Sequence, residues 1–461
     1  MKQDYDVLVV GGCTAGLYFA AQMARQGYRT LVIEKDGEQA LGRRYDIFHL
    51  ATATFDRFGV EIPQPGDPDF VRTFGQSISF SALNNYPKTA HGEIRVLHRH
   101  EFMLRLKKWV ETLSADVLTG AQFETLTFDS DQRISGASFT HAGKSHTVSA
   151  RLVADASGIA SVVRTSLPEG YGVERFEIGA KDKFYVVLYY VQLNDPERDR
   201  VTESVGWPYY KAWKAPQHDP DGAILGVGAN LSFEYAEMCF KRFAGRVELP
   251  PHTLQHTERG CTPYRRPPYS FVADGFVALG DAACLTNPLS GEGITAAWLQ
   301  AEIVAQEADH AMQKGAYPTR EALWAVNKRY YDAQGAEYAQ LLSMLAGAVA
   351  CSPEENDYEF SQSIIFSSDD EKPKGSLPGK LLKGFFSGKL RASTIASLIG
   401  AAGTGGKILR RYKAYPDNSA GYEAWAKQAD ALWGKARGMA DDAEKDLNAL
   451  KAEEQTKGIR Q

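Results

Sequence analysis

The beginning of the chain alternates between apolar runs and a helical pattern. Residues 5–10 form an apolar run typical of a parallel strand buried on both faces. Residues 14–26 have the periodicity of a helix, and Gly27 suits the position just after its end. A second buried strand over residues 30–33 ends at Glu34. The pattern predicts a β-α-β unit with a glycine-rich turn after its first strand.

The segment that follows predicts a helix, a small sheet and a further buried strand. Residues 100–113 have a helical pattern, and residues 151–155 form an apolar run that ends at Ser157-Gly158. Short strands are predicted between them, over residues 115–118, 121–128, 134–141 and 143–149. In the stretch 176–268 aromatic residues are frequent and β-rich runs alternate, which predicts an antiparallel sheet.

Composition and charge narrow the function classes. With 461 residues, 44% of them hydrophobic, the chain can form two or three domains with their own cores. A formal net charge of −5 gives no reason to expect nucleic acid as a partner. The five cysteines show neither a CxxC nor a metal-ligand spacing, so we expect no metal and a reducing compartment.

The N-terminal residues Met1-Lys2-Gln3-Asp4 lead into the first strand without the apolar segment of a secretory signal. No window reaches the roughly 18 consecutive apolar residues that a membrane span needs. We therefore expect a cytoplasmic protein.

The turn at residues 11–16 has the chemistry of a phosphate-binding site. Gly11 and Gly16 occupy the first and third glycine positions of a GxGxxG turn, and Cys13 occupies the second. Amides at the start of the next helix can bind a pyrophosphate, and we assign this role to Gly11, Gly12, Cys13, Thr14, Ala15 and Gly16. Glu34 is placed to accept hydrogen bonds from the hydroxyls of an adenosine ribose. This turn alone fits NAD as well as FAD.

Residues 277–294 separate the two dinucleotides. An apolar strand ends at Gly280-Asp281 and brings a carboxylate to the place where the ribityl chain and pyrophosphate of FAD would pass. Pro288 and Gly291-Glu292-Gly293 then start a helix over about residues 293–312. The first amides of this helix, at Ile294 and beyond, can point at the N1/O2 edge of a flavin, where negative charge appears on reduction. The two motifs together predict bound FAD and a redox enzyme.

With these motifs in this order, the chain resembles flavoproteins of the p-hydroxybenzoate-hydroxylase-like superfamily, and within it most the geranylgeranyl-reductase family. The likeness covers about residues 1–345. It implies an α/β (α+β overall) fold with a Rossmann-like FAD-binding domain, an inserted antiparallel β-sheet substrate domain and a helical C-terminal extension. We place the FAD-binding domain at residues 1–74, 95–175 and 270–345, the substrate domain at 75–94 and 176–269, and the extension at 346–461.

Two intermediate segments also carry the resemblance. Arg99-His100-Glu101-Phe102 is similar to the family's Arg-x-x-Phe, whose arginine contacts the phosphate or ribityl region of the flavin. Residues 155–164 are similar to the family's Asp-Ala-x-Gly segment, which ends in an arginine. The resemblance implies cofactor contacts at Arg99, Asp155, Ala156, Gly158 and Arg164. We add Lys35, Arg44 and Phe123 to the candidate cofactor contacts.

Two activities fit such a scaffold, in which the cofactor carries the chemistry and the protein positions it. The first, which we favour, is a reductase in which reduced FAD delivers hydride to a carbon–carbon double bond of a hydrophobic or amphipathic substrate. The second is an FAD-dependent aromatic monooxygenase. A third hypothesis is a non-catalytic flavin-binding or membrane-interaction module. No second glycine-rich turn is visible, so NAD(P)H would bind transiently, or another donor such as a partner protein would supply electrons.

The candidate substrate contacts are aromatic. Residues 207–216 are reminiscent of the family's Tyr-x-Trp-x-Phe-Pro string, whose aromatics line the substrate cavity, and this likeness makes Tyr210 and Trp213 candidates. Ordinary packing of a sheet face explains them equally well. Arg44 can bind an acidic substrate or the flavin, or lie in a solvated loop. His49 is a candidate proton donor, with a structural role as the alternative.

A basic stretch stands out near the C-terminus. Residues 372–413 contain ten Lys or Arg and no acidic residue, interleaved with Leu and Phe. A solvated basic surface, a peripheral contact with an anionic membrane and a lid over the substrate domain all fit this composition. The residues from Asp417 onward favour helix.

Overall fold

The computed structural model describes residues 4–43, 45–194, 202–207, 210–245, 249, 251–371 and 375–458. The strands of the N-terminal half are β1 (Val7–Val10), β2 (Thr30–Glu34), β3 (Ile47–Ala51), β4 (Phe70–Phe80), β5 (Pro87–His98), β6 (Asp116–Thr119), β7 (Ala121–Phe128), β8 (Ile134–His141), β9 (Lys144–Ser149) and β10 (Leu152–Asp155). The remaining strands are β11 (Lys183–Leu193), β12 (Thr202–Trp207), β13 (Tyr210–Pro216), β14 (Gly222–Asn230), β15 (His252–Pro263), β16 (Val272–Ala273) and β17 (Phe276–Ala278). The helices are α1 (Thr14–Arg25), α2 (Thr52–Phe58), α3 (Arg99–Thr112), α4 (Val162–Ser166), α5 (Phe233–Ala244), α6 (Ile294–Met312), α7 (Ala325–Tyr330), α8 (Ala336–Ala348), α9 (Pro353–Ser361), α10 (Leu377–Phe386), α11 (Ala392–Lys413), α12 (Tyr422–Trp433) and α13 (Met439–Gly458).

A six-stranded sheet forms the centre of the N-terminal part, in the order β16-β17-β10-β1-β2-β6. Its strands are parallel except for the pair β16/β17. All four residues of β1 are buried, as an uninterrupted apolar run in a parallel sheet requires. The predicted β-α-β unit is confirmed, because β1 pairs in parallel with β2 and α1 connects them.

Both faces of this sheet are covered. Helix α1 packs between α3 and α6, and the antiparallel sheet β7-β8-β9 packs against β2 and β10. Helix α6 is locked to α1 by a hydrogen bond from Trp298 Nε1 to the carbonyl oxygen of Thr14, at 3.0 Å. The helix predicted over residues 293–312 is therefore present and starts beside the glycine-rich turn.

A second, eight-stranded sheet has the order β15-β11-β14-β13-β12-β4-β5-β3. It is antiparallel except for the pair β12/β4, which joins two distant chain segments rather than the arms of a hairpin. Strand β3 enters this sheet from residues 47–51, ahead of the predicted segment 75–94. The predicted domain boundaries stay a proposal.

The two faces of the eight-stranded sheet differ in what covers them. Helices α5 and α13 pack on one face, against a cluster that includes Val187, Ala212 and Val227. The other face carries Leu188 and Ile224 together with partly buried aromatic residues. We call this second face the inner face.

The C-terminal part is helical, as predicted. Helices α7 and α8 are joined by a π-helical turn, and α11 packs against α8 and α12. Helix α9 begins with a capping box between Ser352 and Glu355. Among the described residues, none of the helices is long and apolar enough to cross a bilayer.

Candidate cofactor and substrate site

Three loops meet at the carboxyl ends of neighbouring parallel strands. The turn at Gly11 follows β1, and the loops after Asp155 and before Gly280 follow β10 and β17. Leu279 N donates to the carbonyl oxygen of Asp155 at 2.8 Å, which ties two of these loops together. In open α/β sheets, ligands bind at this edge. The structure therefore brings both sequence motifs to one place.

Glycine is required at two positions of the first turn. Gly11 has a φ of +114°, and a methyl group on it would overlap the carbonyl oxygen of Ala156. A methyl group on Gly16 would overlap the carbonyl oxygen of Gly11 in the same way. Neither backbone oxygen can move aside, because both belong to segments fixed by the parallel sheet. The turn thus has the close helix–strand packing of a dinucleotide site.

Cys13 fits the middle position of the turn without strain. Its φ of −97° and ψ of −173° are extended, so the backbone there does not need glycine. Arg99, the first residue of α3, donates from Nη2 to Cys13 Sγ at 3.6 Å. The backbone amide of Arg99 is held by the carbonyl oxygen of Asp46 at 2.8 Å. A cation predicted to contact the flavin's phosphate or ribityl region thus lies next to the glycine turn.

Glu34 is held in place by backbone donors. Its Oε2 accepts from Gly12 N at 2.7 Å and its Oε1 accepts from Asp36 N at 2.9 Å. Only 9% of the residue is exposed. Each carboxylate oxygen retains acceptor capacity, which is what a ribose diol needs. The neighbouring Lys35 pairs with Asp36 at 2.9 Å on the surface.

Asp155 forms its hydrogen bonds with nearby residues of its own loop. It is fully buried, and its carboxylate accepts from Ser157 N at 3.0 Å, Ser157 Oγ at 2.6 Å and Arg164 N at 2.7 Å. Burial raises the pKa of this carboxyl, against the opposing effect of these donors. Asp155 therefore shapes the loop that contains Ala156 and Gly158.

Arg164 joins this loop to the second motif. Its guanidinium is fully buried, donates from Nε to the carbonyl oxygen of Ala282 at 2.9 Å, and donates from Nη1 to the carbonyl oxygen of Glu174 at 2.7 Å. Its Cζ also lies 4.2 Å from the ring centre of Phe176. Arg164 is thus a positioning residue, which holds the loops that would surround the cofactor.

The second motif lies against the first. Gly280 has a φ of +56°, and a methyl group on it would come within 2.9 Å of the Ala15 side chain. Thr286 Oγ1 donates to Asp281 Oδ1 at 3.3 Å. It also shares a 2.6 Å hydrogen bond with Thr262 of β15. The eight-stranded sheet is therefore anchored to the predicted FAD segment through a pair of threonines.

The loop before α6 is braced by its own side chains. Asn287 Oδ1 accepts hydrogen bonds from the amides of Leu289 and Ser290, at 2.9 and 3.2 Å. Pro288 precedes these two residues and Gly291 follows them. Glu292 Oε1 accepts from Thr295 N at 2.7 Å in the first turn of α6. Gly293 is the N-terminal capping residue, without a side chain over the helix end. Amides from Ile294 onward thus begin a helix at the predicted flavin edge.

Aromatic side chains lie against glycines across the inner face. A methyl group on Gly226 would overlap the ring of Trp213, and one on Gly228 would overlap the ring of Phe184. A methyl group on a third glycine, Gly260, would overlap the hydroxyl end of the Tyr45 side chain. Residues directly opposite in antiparallel strands share a face, and Trp213 is opposite Gly226. The inner face is therefore an apolar, aromatic surface. We call these rings and glycines the aromatic floor.

His49 lies at the edge of this face as a neutral imidazole. Burial lowers its pKa to about 4, and its Nε2 donates to the carbonyl oxygen of Pro216 at 3.2 Å. The ring stands edge-on to Phe74. Its predicted role as a proton donor stays a prediction, and at neutral pH the one imidazole proton is engaged by Pro216.

Other predicted residues lie apart or outside the described part of the chain. Phe123 is partly buried in β7 and packs against the core of the parallel sheet. Arg44 and the side chain of Tyr210 lie outside the described residues, although the backbone of Tyr210 pairs with Ala229.

Sequence reasoning did not single out Lys211. It occupies the position two before Trp213 on β13, and its Nζ donates to the carbonyl oxygen of Ser290 at 3.4 Å. Burial lowers the pKa of this ammonium group. The signal was available in the alternation of the strand, because residues two apart share a face and Trp213 was already a candidate.

Comparisons with known proteins agree with this geometry. Residues 4–199 match a family described as "FAD binding domain". The chain is 24% identical to a digeranylgeranylglycerophospholipid reductase of Sulfolobus acidocaldarius, over 93% of this chain and 98% of that protein. It is also 26% identical to a flavin-dependent halogenase of Armillaria mellea, over 56% of this chain and 52% of that protein.

Among solved structures, the fold matches a geranylgeranyl bacteriochlorophyll reductase-like protein from Thermoplasma acidophilum with a TM-score of 0.71 and 17% identity. That match covers 89% of this chain and 99% of the other. These findings confirm the predicted fold, the FAD-binding domain and the likeness to geranylgeranyl reductases.

Proposed function

We propose that the chain is an FAD-dependent oxidoreductase that reduces a carbon–carbon double bond of a hydrophobic or amphipathic substrate lying on the aromatic floor. The observation that carries this proposal is the apolar inner face, which is tied to the cofactor loops by the Thr262–Thr286 hydrogen bond. The digeranylgeranylglycerophospholipid reductase of Sulfolobus acidocaldarius matches over 93% of this chain, which supports the proposal.

The residues present fit FAD. Gly11 and Gly16 allow the tight turn and the close helix–strand packing of a dinucleotide site, and Glu34 offers acceptors to the adenosine ribose. Arg99 supplies a cation next to Cys13. When bound and reduced, FAD would supply a hydride, which carries both electrons, to one carbon of the alkene, and a proton from water or a side chain would complete the reduction at the other carbon. NAD(P)H bound transiently, or a donor protein, is the proposed source of electrons.

The protein's own contribution is to orient the substrate and exclude water. Trp213 and Phe184 present flat apolar surfaces, which suit an extended hydrocarbon better than a hydrogen-bonding ring. Lys211 stands near the loop at Ser290, where it can hold an anionic group of an amphipathic substrate or oppose negative charge on the flavin. His49, being neutral, adds a hydrogen-bonding ring without charge.

An anaerobic turnover experiment tests the proposal. The purified holoenzyme is reduced chemically under nitrogen and mixed with geranylgeranyl diphosphate or the corresponding alcohol. The molecular mass of the product is then measured by mass spectrometry. We expect reoxidation of the flavin and a product that has gained hydrogen at a double bond. Trp213→Ala is expected to raise KM for the alkene several-fold while flavin content stays unchanged. Leu254→Ala, at an exposed position of β15, is the matched control.

The aromatic monooxygenase remains the alternative activity, since halogenases and hydroxylases share this fold. A product that has gained oxygen, formed only in the presence of O2, would replace the reductase proposal with this alternative. Flavin content is measured in the same samples, so that a failure to bind FAD is distinguished from a wrong substrate.

A further inference from the structure

Exposed apolar side chains are concentrated in two segments of the chain. Among the described residues, ten large apolar side chains are exposed, and seven of these lie in the β4–β5 turn or in helices α10 and α11. The seven are Leu83, Tyr86, Leu377, Leu382, Phe385, Phe386 and Ile399. We call them the apolar patch. A contiguous surface of this kind marks an interaction site more often than scattered single residues do.

Helix α9 joins the two segments. Asn356 Oδ1 accepts from Ala82 N of the β4–β5 turn at 2.7 Å. Two residues later, the Tyr358 hydroxyl donates to the carbonyl oxygen of Lys380 in α10, at 2.8 Å. Ser363, just after α9, contacts both segments, because its Oγ accepts from Lys88 Nζ of β5 at 2.8 Å and its carbonyl oxygen accepts from Lys380 Nζ of α10 at 3.2 Å. The β4–β5 hairpin and α10 therefore adjoin.

The exposure of α10 is a consequence of its amphipathic sequence. Leu381 is buried with Tyr358 and Leu390 in a small core of their own, onto which Ile395 of α11 packs. Leu382, on the other side of α10, is 57% exposed, and Phe386 is 81% exposed. One side of α10 is thus packed into this small core, and the opposite side, which we call the outer side, carries large apolar residues that lie outside it.

Exposed cations of α10 and α11 flank the outer side. Residues 372–416 include no Asp or Glu, although the whole chain has a net charge of −5. Lys383 and Lys389 are exposed beside the phenylalanines, and Lys407 and Arg410 are exposed on α11. Lysines flanking Phe and Leu on a short amphipathic helix suit an interface between water and an anionic bilayer.

We propose that the apolar patch and its flanking cations bind the surface of an anionic lipid bilayer, with Phe385 and Phe386 inserted among the acyl chains. An anionic bilayer matches both the positive charge and the apolar side chains. The β4–β5 turn belongs to the sheet that carries the inner face. Docking would therefore bring one end of the substrate sheet to the membrane. This inference does not depend on which reaction the enzyme catalyses.

Co-sedimentation of the full-length holoenzyme with vesicles tests the inference. We expect binding to vesicles of phosphatidylcholine mixed with phosphatidylglycerol, weaker binding to phosphatidylcholine alone, and weaker binding at high salt. Phe385→Ser with Phe386→Ser is expected to reduce partitioning about tenfold or more, since two buried aromatic side chains are lost. Lys383→Gln with Lys389→Gln is expected to reduce partitioning to anionic vesicles roughly tenfold.

Matched controls distinguish binding through the apolar patch from non-specific adsorption to vesicles. Leu254→Ser, at a 54% exposed position outside the apolar patch, and Lys435→Gln, at an exposed position after α12, should leave partitioning unchanged. Thermal melting and flavin content confirm that each variant is folded; if the double phenylalanine variant unfolds, Phe386→Ser alone serves in its place. Absence of binding to anionic vesicles, or equal binding by the patch variants and wild type, overturns the inference. A dimer that the phenylalanine variants dissociate and that does not bind vesicles also overturns it.

Discussion

Glycines contact backbone atoms in the turn at residues 11–16, which we call the cofactor turn, but side-chain atoms on the inner face. Gly16 abuts a backbone carbonyl, that of Gly11, whereas Gly226 abuts the side chain of Trp213. A backbone oxygen in a turn fixed by a parallel sheet cannot move aside, but an indole ring can rotate about its side-chain torsions. The cofactor turn is thus built to be invariant, and the aromatic floor is built to be reshaped by substitution. A scaffold of this kind can retain one cofactor while its substrate surface changes.

The largest effect is expected from Gly16→Ala. The added methyl group overlaps the carbonyl oxygen of Gly11 and also comes within 3.1 Å of the Ala156 side chain. We expect a loss of about 3 kcal/mol or more in the free energy of unfolding, together with loss of bound FAD. Thermal melting and the flavin absorbance of the purified protein measure both. Gly37→Ala is the control, because nothing lies within 4 Å of a methyl group there. A Gly16→Ala protein with wild-type flavin content would contradict the idea of an invariant turn.

The cofactor turn could be predicted from sequence because its chemistry is local. Gly11, Gly16 and Glu34 are fixed by one β-α-β unit, whose apolar run and helix are visible as a pattern. The second motif was found in the same way, from a strand end followed by a helix start at Ile294. The contact between the two motifs, through Gly280 and Ala15, follows from the rule that ligands bind at the carboxyl ends of parallel strands.

The aromatic floor could not be predicted, because it depends on register. That Trp213 covers Gly226 requires knowing which residues of β13 and β14 stand opposite each other. Tyr45 covers Gly260 across more than two hundred residues of chain. The sequence suggested Trp213 as an aromatic candidate, but offered no pairing for it. Arg164 shows the same limit, since its partners Ala282 and Glu174 are contacts made only by the folded chain.

A smaller effect is expected from Gly226→Ala, which tests whether the Trp213 ring of the aromatic floor can move aside. The methyl group must displace the Trp213 ring, so we expect a loss of about 2 kcal/mol in the free energy of unfolding, with FAD retained and KM for the substrate changed. In the background Trp213→Leu, Gly226→Ala should cost less than half as much, because the overlapping ring is gone. The double-mutant cycle is measured by denaturant unfolding. Additive losses would mean that the backbone, rather than the ring, resists the methyl group, and the contrast with the cofactor turn would disappear.

The smallest effect is expected from lowering the pH. It should come from His49 on the inner face and not from the cofactor turn. Burial lowers the pKa of His49 to about 4 in the folded protein, below the ordinary value that the unfolded chain retains. Between these two values the unfolded chain binds more protons than the folded one, so stability is lost as the pH falls and is fully present above the unfolded value. We expect the free energy of unfolding to fall by about 1.8 kcal/mol from about pH 7 to about pH 5 on account of this residue. In His49→Gln, which can still donate to the carbonyl oxygen of Pro216, that part of the slope should vanish, whereas Glu34→Gln at the cofactor turn should leave it in place. Equal slopes in wild type and His49→Gln, measured by urea unfolding at several pH values, would show that this imidazole titrates in the folded protein as it does in water.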